Sequence, residues 1–287
     1  MNGILLVDKP SGWTSNDVVC KMKGVLHERR TGHSGTLDPM ATGLLPLFIG
    51  KATKAVEFAE KNRKKYIAGI SFGIVTDTQD ISGNIVSEHK CTVTDHEFLE
   101  AADAFSGDIE QIPPMYSALK QNGKRLYDLA RQGIEIERKP RKVNIGSIEL
   151  ISASDIGFVF SVECSAGTYV RTLCHDIGQY LGCGACMYSL RRIKCGAFNI
   201  DDAYTLDQII ETAEKGKIES LLLPMDSLFS DLTRYTCSET EESYIRNGRQ
   251  LKTLLQDGRY TVYSAAGEFL MLAEAENGTL RSRKNFF

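Results

Sequence analysis

No stretch of this sequence is long and apolar enough for a membrane span. The longest apolar runs, such as residues 43–50, fall well short of the roughly 20 residues that a spanning helix needs. No leader pattern precedes the strand-like residues 4–7, so the expected compartment is the cytoplasm. A basic excess is missing too: 34 Lys and Arg stand against 37 Asp and Glu, a formal net charge of -3, which argues against a nonspecific polyanion binder. Repeats and low-complexity tracts are absent. So are the GxGxxG and Gly-Lys-Ser/Thr loops of nucleotide sites. Eight cysteines without a leader are expected to be reduced thiols. Cys183 and Cys186 form a lone CxxC, but neither Cys195 nor Cys174-His175 supplies the second ligand pair that structural zinc wants. Buried thiols near a turn are expected there, and no metal.

What remains is an ordinary globular chain. Its 287 residues, 42% hydrophobic and 25% charged, suffice for one large domain and a small one. The charges are not evenly mixed. Basic residues gather at 63–65, 138–142, 191–194 and 281–284, and acidic ones at 95–110 and 201–219. A balanced total is therefore compatible with one basic face, although ordinary solvated charge explains each cluster taken singly.

Hydrophobic spacing supplies the elements. Residues 4–7 read as a strand, and Thr14 or Ser15 caps a helix with Val18, Val19, Met22, Val25 and Leu26 at helical spacing. A glycine-rich loop is expected over residues 32–43. A short helix near 53–60 precedes a strand in which Tyr66, Ala68, Ile70 and Phe72 alternate with their neighbours, then a turn-rich stretch 77–84 and a strand at 85–87. Thr94 and Glu97 form a capping box for a helix burying Phe98, Ala101 or Ala102, and Phe105. Residues 111–142 look like a polar, basic excursion from the core, with a short helix at 125–131. Strands near 143–151 and 158–164 lead through Gly167-Thr168 into a helix, and a strand at 187–194 follows. Beyond Pro224 come a helix boxed by Ser238 and Glu241 and strands near 260–264 and 269–274. The order predicts an α+β fold: a mixed, largely antiparallel sheet with flanking helices over residues 1–231, then a small β-rich unit over 232–287.

Two segments carry the candidate chemistry. GHSGTLDPMATG, residues 32–43, packs three glycines, a histidine and an Asp-Pro pair into twelve positions. Pro39 biases Asp38 towards an extended backbone, which presents its carboxylate in a defined direction. A structural turn explains this stretch equally well on its own. In Gly167-Thr168-Tyr169-Val170-Arg171, Thr168 is a natural helix cap, and Arg171 in the first turn suits a bidentate pair with a loop carboxylate, keeping it ionised. A plain surface arginine is the commoner use of such a residue. Tyr66, after three basic residues, suits an aromatic face for a flipped base, although most strand tyrosines simply pack.

Five stretches in order, LLVDKPSGWTSNDVV from Leu5, GHSGTLDPMATGLLP from Gly32, KKYIAGISFGIVTDTQDISG from Lys64, PPMYSALKQNGKRLYDLARQG from Pro113 and CSAGTYVRTLCHDIGQYLGCGA from Cys164, together resemble the tRNA pseudouridine synthase B (TruB) family of bacterial type. The likeness covers nearly the whole chain, and the tail resembles a shortened PUA-like RNA-binding domain. The resemblance implies an isomerase that converts uridine 55 in the T-arm of tRNA to pseudouridine by flipping the base, cutting and remaking its bond to ribose. It implies Asp38 as the catalytic carboxylate and nucleophile, Tyr66 stacked on the target ring and Arg171 paired with Asp38. Substrate-binding roles fall to His33, Leu190, which lines the uracil pocket, Tyr169, and Lys9, which with Pro10 supports the active-site loop. Residues 111–142 match a thumb-like insertion that clamps the RNA arm. The partner implied is tRNA, bound by a single chain with no membrane and no obligatory protein partner.

Such a reaction changes no oxidation state and adds no group, so no cofactor is expected. Extracting a stacked base costs a few kcal/mol, which contacts from His33, Tyr66 and the insertion would offset. Two rivals remain open at this point. A noncatalytic RNA-binding or tRNA-folding protein explains the basic clusters without needing Asp38, Tyr66 and Arg171 together. A glycosidase normally sets two carboxylates about the scissile bond, where this loop offers one.

Overall fold

The structure is a computed structural model that describes residues 1–121 and 123–287. Asn122, inside the expected insertion, lies outside the described residues.

The chain opens with β1 (Gly3–Lys9), apolar on both sides because both are covered. Leu5 and Val7 meet the buried stripe of α1 (Ser15–Leu26), Val18, Val19, Met22 and Leu26, while Ile4 and Leu6 face a second core. A reciprocal Thr14–Asp17 capping box starts α1, satisfying backbone donors that the first turn leaves unpaired. Then come β2 (Thr31–His33), β3 (Thr42–Ile49), a 3-10 turn, α2 (Val56–Ala59) and β4 (Lys64–Phe72). A hairpin of β5 (Ile74–Thr76) and β6 (Ile85–Glu88) precedes α3 (Asp95–Ala104) and β7 (Gly107–Gln111). The insertion carries β8 (Lys120–Gln121), β9 (Lys124–Arg125) and α4 (Leu126–Ala130). Next come β10 (Arg141–Ser154), β11 (Gly157–Cys164), α5 (Val170–Tyr180), β12 (Ala185–Cys195), β13 (Phe198–Asn199) and α6 (Leu206–Glu214).

Among the described residues these strands form a nine-stranded sheet in the order β1-β3-β12-β4-β11-β10-β7, with β2 added to β3 and β13 to β12. The β3–β12 pair is parallel and the others antiparallel, as the expected mixed, largely antiparallel arrangement requires. Helices α3 and α5 cover one face around Phe98, Phe158, Phe160 and Leu173. The second, smaller sheet joins β14 (Thr233–Thr236), β15 (Leu251–Lys252), β16 (Gly258–Tyr263), β17 (Phe269–Glu276) and β18 (Thr279–Asn285), with α7 (Glu239–Arg246) beside it. Its Phe269 and Phe286, stacked at 4.8 Å, share one apolar cluster with Ile4, Leu6 and Phe48 of the large sheet.

Three local expectations change. Residues 32–43 are not loop throughout, because β2 and β3 pair antiparallel from Thr31↔Ile49 to His33↔Leu47, so the loop proper narrows to residues 34–41. Thr168 does not cap α5. Its hydroxyl donates back to the Ser165 carbonyl, and Tyr169 occupies the cap position with its N–H donated to Gln111 Oε1 at 2.8 Å. Finally, the excursion does not begin at once: Gln111, Pro113, Pro114, Met115 and Ser117 are buried against the body. The CxxC thiols are buried as expected, and among the described residues no group of metal-ligating side chains gathers.

Candidate active site

The Asp38 loop is held from below by the N-terminal segment. Ser15 Oγ accepts from Leu37 N–H at 2.8 Å and donates to Leu37 C=O at 3.2 Å. The Pro39 carbonyl accepts from Gly12 N–H at 2.8 Å and from Lys9 Nζ at 3.3 Å. Lys9 Nζ also donates to Pro10 O and Trp13 O. Expected among the substrate contacts, Lys9 is sealed from solvent with its ammonium spent on three carbonyls, so it buttresses the loop and does not reach outward. Burial lowers its pKa to about 8. On the other side, Arg192 Nε donates to Leu44 O at 2.7 Å and its Nη2 to Gly35 O at 3.2 Å. Asp38 is thus suspended between fixed points while its side chain stays 31% exposed.

The arginine expected to meet it does so. Arg171 Nη1 lies 3.0 Å from Asp38 Oδ2. The contact is single and not bidentate, because the same Nη1 also faces Asp80 Oδ2 at 3.4 Å and Nη2 donates to the Tyr116 carbonyl. Arg171 is 5% exposed and Asp80 3%. Asp80 is fixed in turn: its Oδ1 accepts from Thr78 Oγ1 and Ser82 N–H, both at 3.0 Å, and from the Ser82 hydroxyl. Gln111 closes the frame by donating to Tyr169 O at 3.1 Å while accepting its N–H, locking the start of the helix that carries Arg171. A buried guanidinium shared by two carboxylates is a directional anchor.

The electrostatics depart from the simple pairing. Burial raises the Asp38 carboxyl above its ordinary range; Arg171 pulls it down, and the Asp80 carboxylate pushes it up again. Arg171 therefore fixes Asp38's direction and offsets only part of the rise that burial causes. Burial, reinforced by Arg192, lowers His33 and favours the neutral imidazole. Burial pushes the Tyr66 phenol up to about 12, so it is protonated at neutral pH. Tyr169 is also raised by burial, and the Arg171 guanidinium carbon sits 5.8 Å from its ring centre.

Tyr66 and Leu190, each 8% exposed, belong to the same apolar cluster as Leu37 and Ala41 of the Asp38 loop. Asp38, Arg171, Tyr169, Tyr66 and Leu190 therefore converge on one region, with His33 one strand further along, where it pairs with Leu47. Ser15, Asp80, Gln111 and Arg192 escape the sequence reading. They act on backbone or through turns, where hydrophobic period carries no signal. Ser15 and Asp80 do lie inside the quoted motif stretches.

A chain in a crystal structure of a Cbf5-Nop10-Gar1 complex superposes with a TM-score of 0.77 at 25% identity, covering 99% of this chain and 85% of that one. One in an H/ACA RNP bound to a substrate RNA containing 2'-deoxyuridine gives 0.76 at 23% identity, covering 99% and 85%. The fold is that of the pseudouridine synthases. The profile for the TruB family pseudouridylate synthase N-terminal domain matches residues 23–170, and that for the tRNA pseudouridylate synthase B C-terminal domain matches residues 171–230. The tRNA pseudouridine synthase B of Azoarcus sp. (strain BH72) is 44% identical over 285 residues, 99% of this chain and 94% of that protein. That of Clostridium acetobutylicum is 44% identical over 279 residues, covering 95% of each chain. The chain belongs to the TruB family of pseudouridylate synthases.

Proposed function

We propose that this protein is an isomerase that converts uridine 55 in the T-arm of tRNA to pseudouridine, with Asp38 as the carboxylate that adds to the flipped nucleotide. The observation that carries the reading is the 3.0 Å contact between Asp38 and a buried Arg171, in a chain of this family. A partly exposed carboxylate aimed by a hidden cation suits nucleophilic attack. In the overall reaction the bond from N1 to C1' breaks, the base turns, and C5 bonds to C1'. C5 gives up its proton and N1 gains one, so atoms and electrons balance with no redox step and no added group. Tyr66 and Leu190 hold the uracil ring, Tyr169 and His33 flank the extruded nucleotide, and Lys9 sets the loop from beneath.

Residues 1–231 form the synthase unit, and residues 232–287 form a PUA-like RNA-binding unit. The exposed half of the insertion meets the RNA arm through Lys120, Lys124, Arg125 and Arg131, which line an open recess of about 610 Å³ with Asp128 as its acidic member. Shape and backbone contacts of this kind are how structured RNA is commonly recognised. The protein acts as a single chain in the cytoplasm. Among the described residues no helix is long and apolar enough to cross a membrane.

The test uses unmodified tRNA transcript tritiated at uridine C5. Wild-type protein should release tritium at one uridine, mapping to position 55, and Asp38→Asn should slow release by at least about 10³-fold, as loss of a nucleophile does. Tight tRNA binding without tritium release would favour the noncatalytic RNA-binding reading. Free uracil as the product would favour hydrolysis.

A further inference from the structure

We propose that Gln111 is a positioning residue for this reaction, one that ties the aim of Arg171, and through it Asp38, to the insertion that meets the RNA. The inference rests on the synthase reading above. Gln111 is the last residue of β7 and is 2% exposed. Its Cα partner on β10 is Arg141, so the insertion leaves the sheet and returns to it at one point. There its side chain turns across to α5, accepting from the Tyr169 N–H at 2.8 Å and donating to the Tyr169 carbonyl at 3.1 Å. That carbonyl also accepts the first bond of the helix, from the Leu173 N–H at 3.0 Å. Arg171 sits in that first turn.

The second tie is made by Arg171 itself, whose Nη2 donates to the carbonyl of Tyr116 within the insertion. From there the path to the basic recess is short. The next residue, Ser117, is 3% exposed, and its carbonyl accepts from the Tyr127 N–H of α4 at 3.1 Å. The guanidinium carbon of Arg131, one of the cations lining the recess, lies 5.5 Å from the Tyr127 ring centre. Arg171 Nε is buried and has no partner among the described residues, so apart from Asp38 the guanidinium is held by Asp80 and by the insertion.

A cap that served stability alone could come from close by. Thr168 stands where a local one would form, but its hydroxyl bonds to the Ser165 carbonyl, and the first turn of α5 has no acidic residue. The helix that carries Arg171 takes its start from the root of the insertion. A fixed root keeps the guanidinium in register with Asp38, and RNA seated on the recess steadies that root. Bound RNA therefore favours the arrangement in which Asp38 is aimed, because its contacts with the recess differ between a seated and an unseated insertion.

A double-mutant cycle tests this, using single-turnover rates at saturating tritiated tRNA for Gln111→Met, Arg131→Glu and the pair, with tRNA affinity and thermal unfolding measured on each. Methionine keeps the length of glutamine and loses both bonds. Gln111→Met is expected to slow the wild-type rate constant by roughly 10- to 100-fold, the scale of a misplaced reacting group, with tRNA affinity changed less than about threefold. Its acid limb should move upward in pH: with Arg171 drawn off, burial and the Asp80 carboxylate both raise the Asp38 carboxyl, and only Lys9 opposes them. Arg131→Glu should weaken tRNA binding in both backgrounds, but lower the saturating rate, by roughly 3- to 30-fold, only where Gln111 is intact. Gln111→Glu, which still accepts from the Tyr169 N–H, should recover part of the lost rate, and it repeats the cycle where the methionine variant does not fold. An unchanged rate or acid limb in Gln111→Met, an Arg131→Glu cost to the rate that is equal in both backgrounds, or loss of folded protein in both Gln111 variants would overturn the assignment and leave Gln111 a scaffold. Wild-type protein that releases no tritium from tRNA would instead remove the synthase reading itself.

Discussion

The Ser15 hydroxyl accepts from the Leu37 N–H and donates to the Leu37 carbonyl, at 2.8 and 3.2 Å, so the first residue of α1 fixes the peptide next to Asp38 from 22 positions away. Ser15 is 1% exposed and Leu37 3%. Truncating the hydroxyl leaves two buried backbone groups unpaired, which costs about 1–3 kcal/mol each when water cannot reach them.

Ser15→Ala should therefore lower stability by about 1–3 kcal/mol in urea titrations, at the low end because the loop can relax. The more telling effect is catalytic. Asp38 loses a fixed neighbour, so the single-turnover rate should fall roughly tenfold or more while tRNA affinity holds. Loss of affinity with an unchanged rate would show that the clamp serves binding and not the carboxylate.

Asp80 makes Asp38 a weaker acid. Its carboxylate shares Arg171 with Asp38 and raises the Asp38 pKa, second among the charges there only to the opposing pull of Arg171. Asp80→Asn keeps an oxygen for Ser82 and Thr78 and removes the charge, so the Asp38 carboxyl should ionise at lower pH. The acid limb of the single-turnover rate is expected to move downward in pH, with the plateau reduced about tenfold because Arg171 loses an anchor. A limb that stays in place, or moves upward, would mean that the two carboxylates do not interact as the geometry requires.

These residues also mark where sequence reading stops. The helix cap at Thr14, the capping boxes at Thr94–Glu97 and Ser238–Glu241 and the alternation at Tyr66, Ala68 and Ile70 all reappear in the structure, because local spacing is what builds caps and strands. The Asp38–Arg171 contact is legible through motif resemblance. Asp80 is not, since a turn carboxylate shows its purpose only when β12 folds back and Met187 N–H takes the Gln79 carbonyl. Thr168 misleads because its motif resembles a cap, while the real satisfaction of α5 comes from Gln111, 58 residues away. The basic run at 191–192 misleads in another way. Arg191 pairs with Asp8 at 2.8 Å and Arg192 points into the protein, so the cluster is not one surface patch. Composition cannot separate those two fates.

Gly43 stands where β3 passes β12. Its φ of +99° is a left-handed value, and a Cβ there would meet the Arg192 carbonyl oxygen at 2.3 Å and the Arg192 nitrogen at 2.9 Å. Gly12 has φ +84° but open space around its would-be Cβ. Gly12→Ala should thus cost only the backbone strain of about 1–2 kcal/mol. Gly43→Ala adds a backbone collision and belongs with substitutions above about 4 kcal/mol. Comparable unfolding midpoints for the two variants would contradict the tight crossing at Gly43.

Asp38 should weaken the fold that it serves. Its carboxyl is raised above the free value of 3.8, so between that value and its folded pKa the native state binds more protons than the unfolded chain. Stability then falls as pH rises through this window, and the deficit is complete above it. An asparagine in place of Asp38 would mimic the protonated form and carry no such penalty, while Arg171 keeps Asp80 as a partner at 3.4 Å. Asp38→Asn is accordingly expected to melt higher than wild type at pH 7 while being inactive, with the difference closing towards pH 4. That is the signature of a group retained for chemistry at the expense of stability. Equal or lower melting of Asp38→Asn at pH 7 would instead make the Arg171 contact a net stabilising ion pair, with Asp38 ionised below the ordinary carboxylate range.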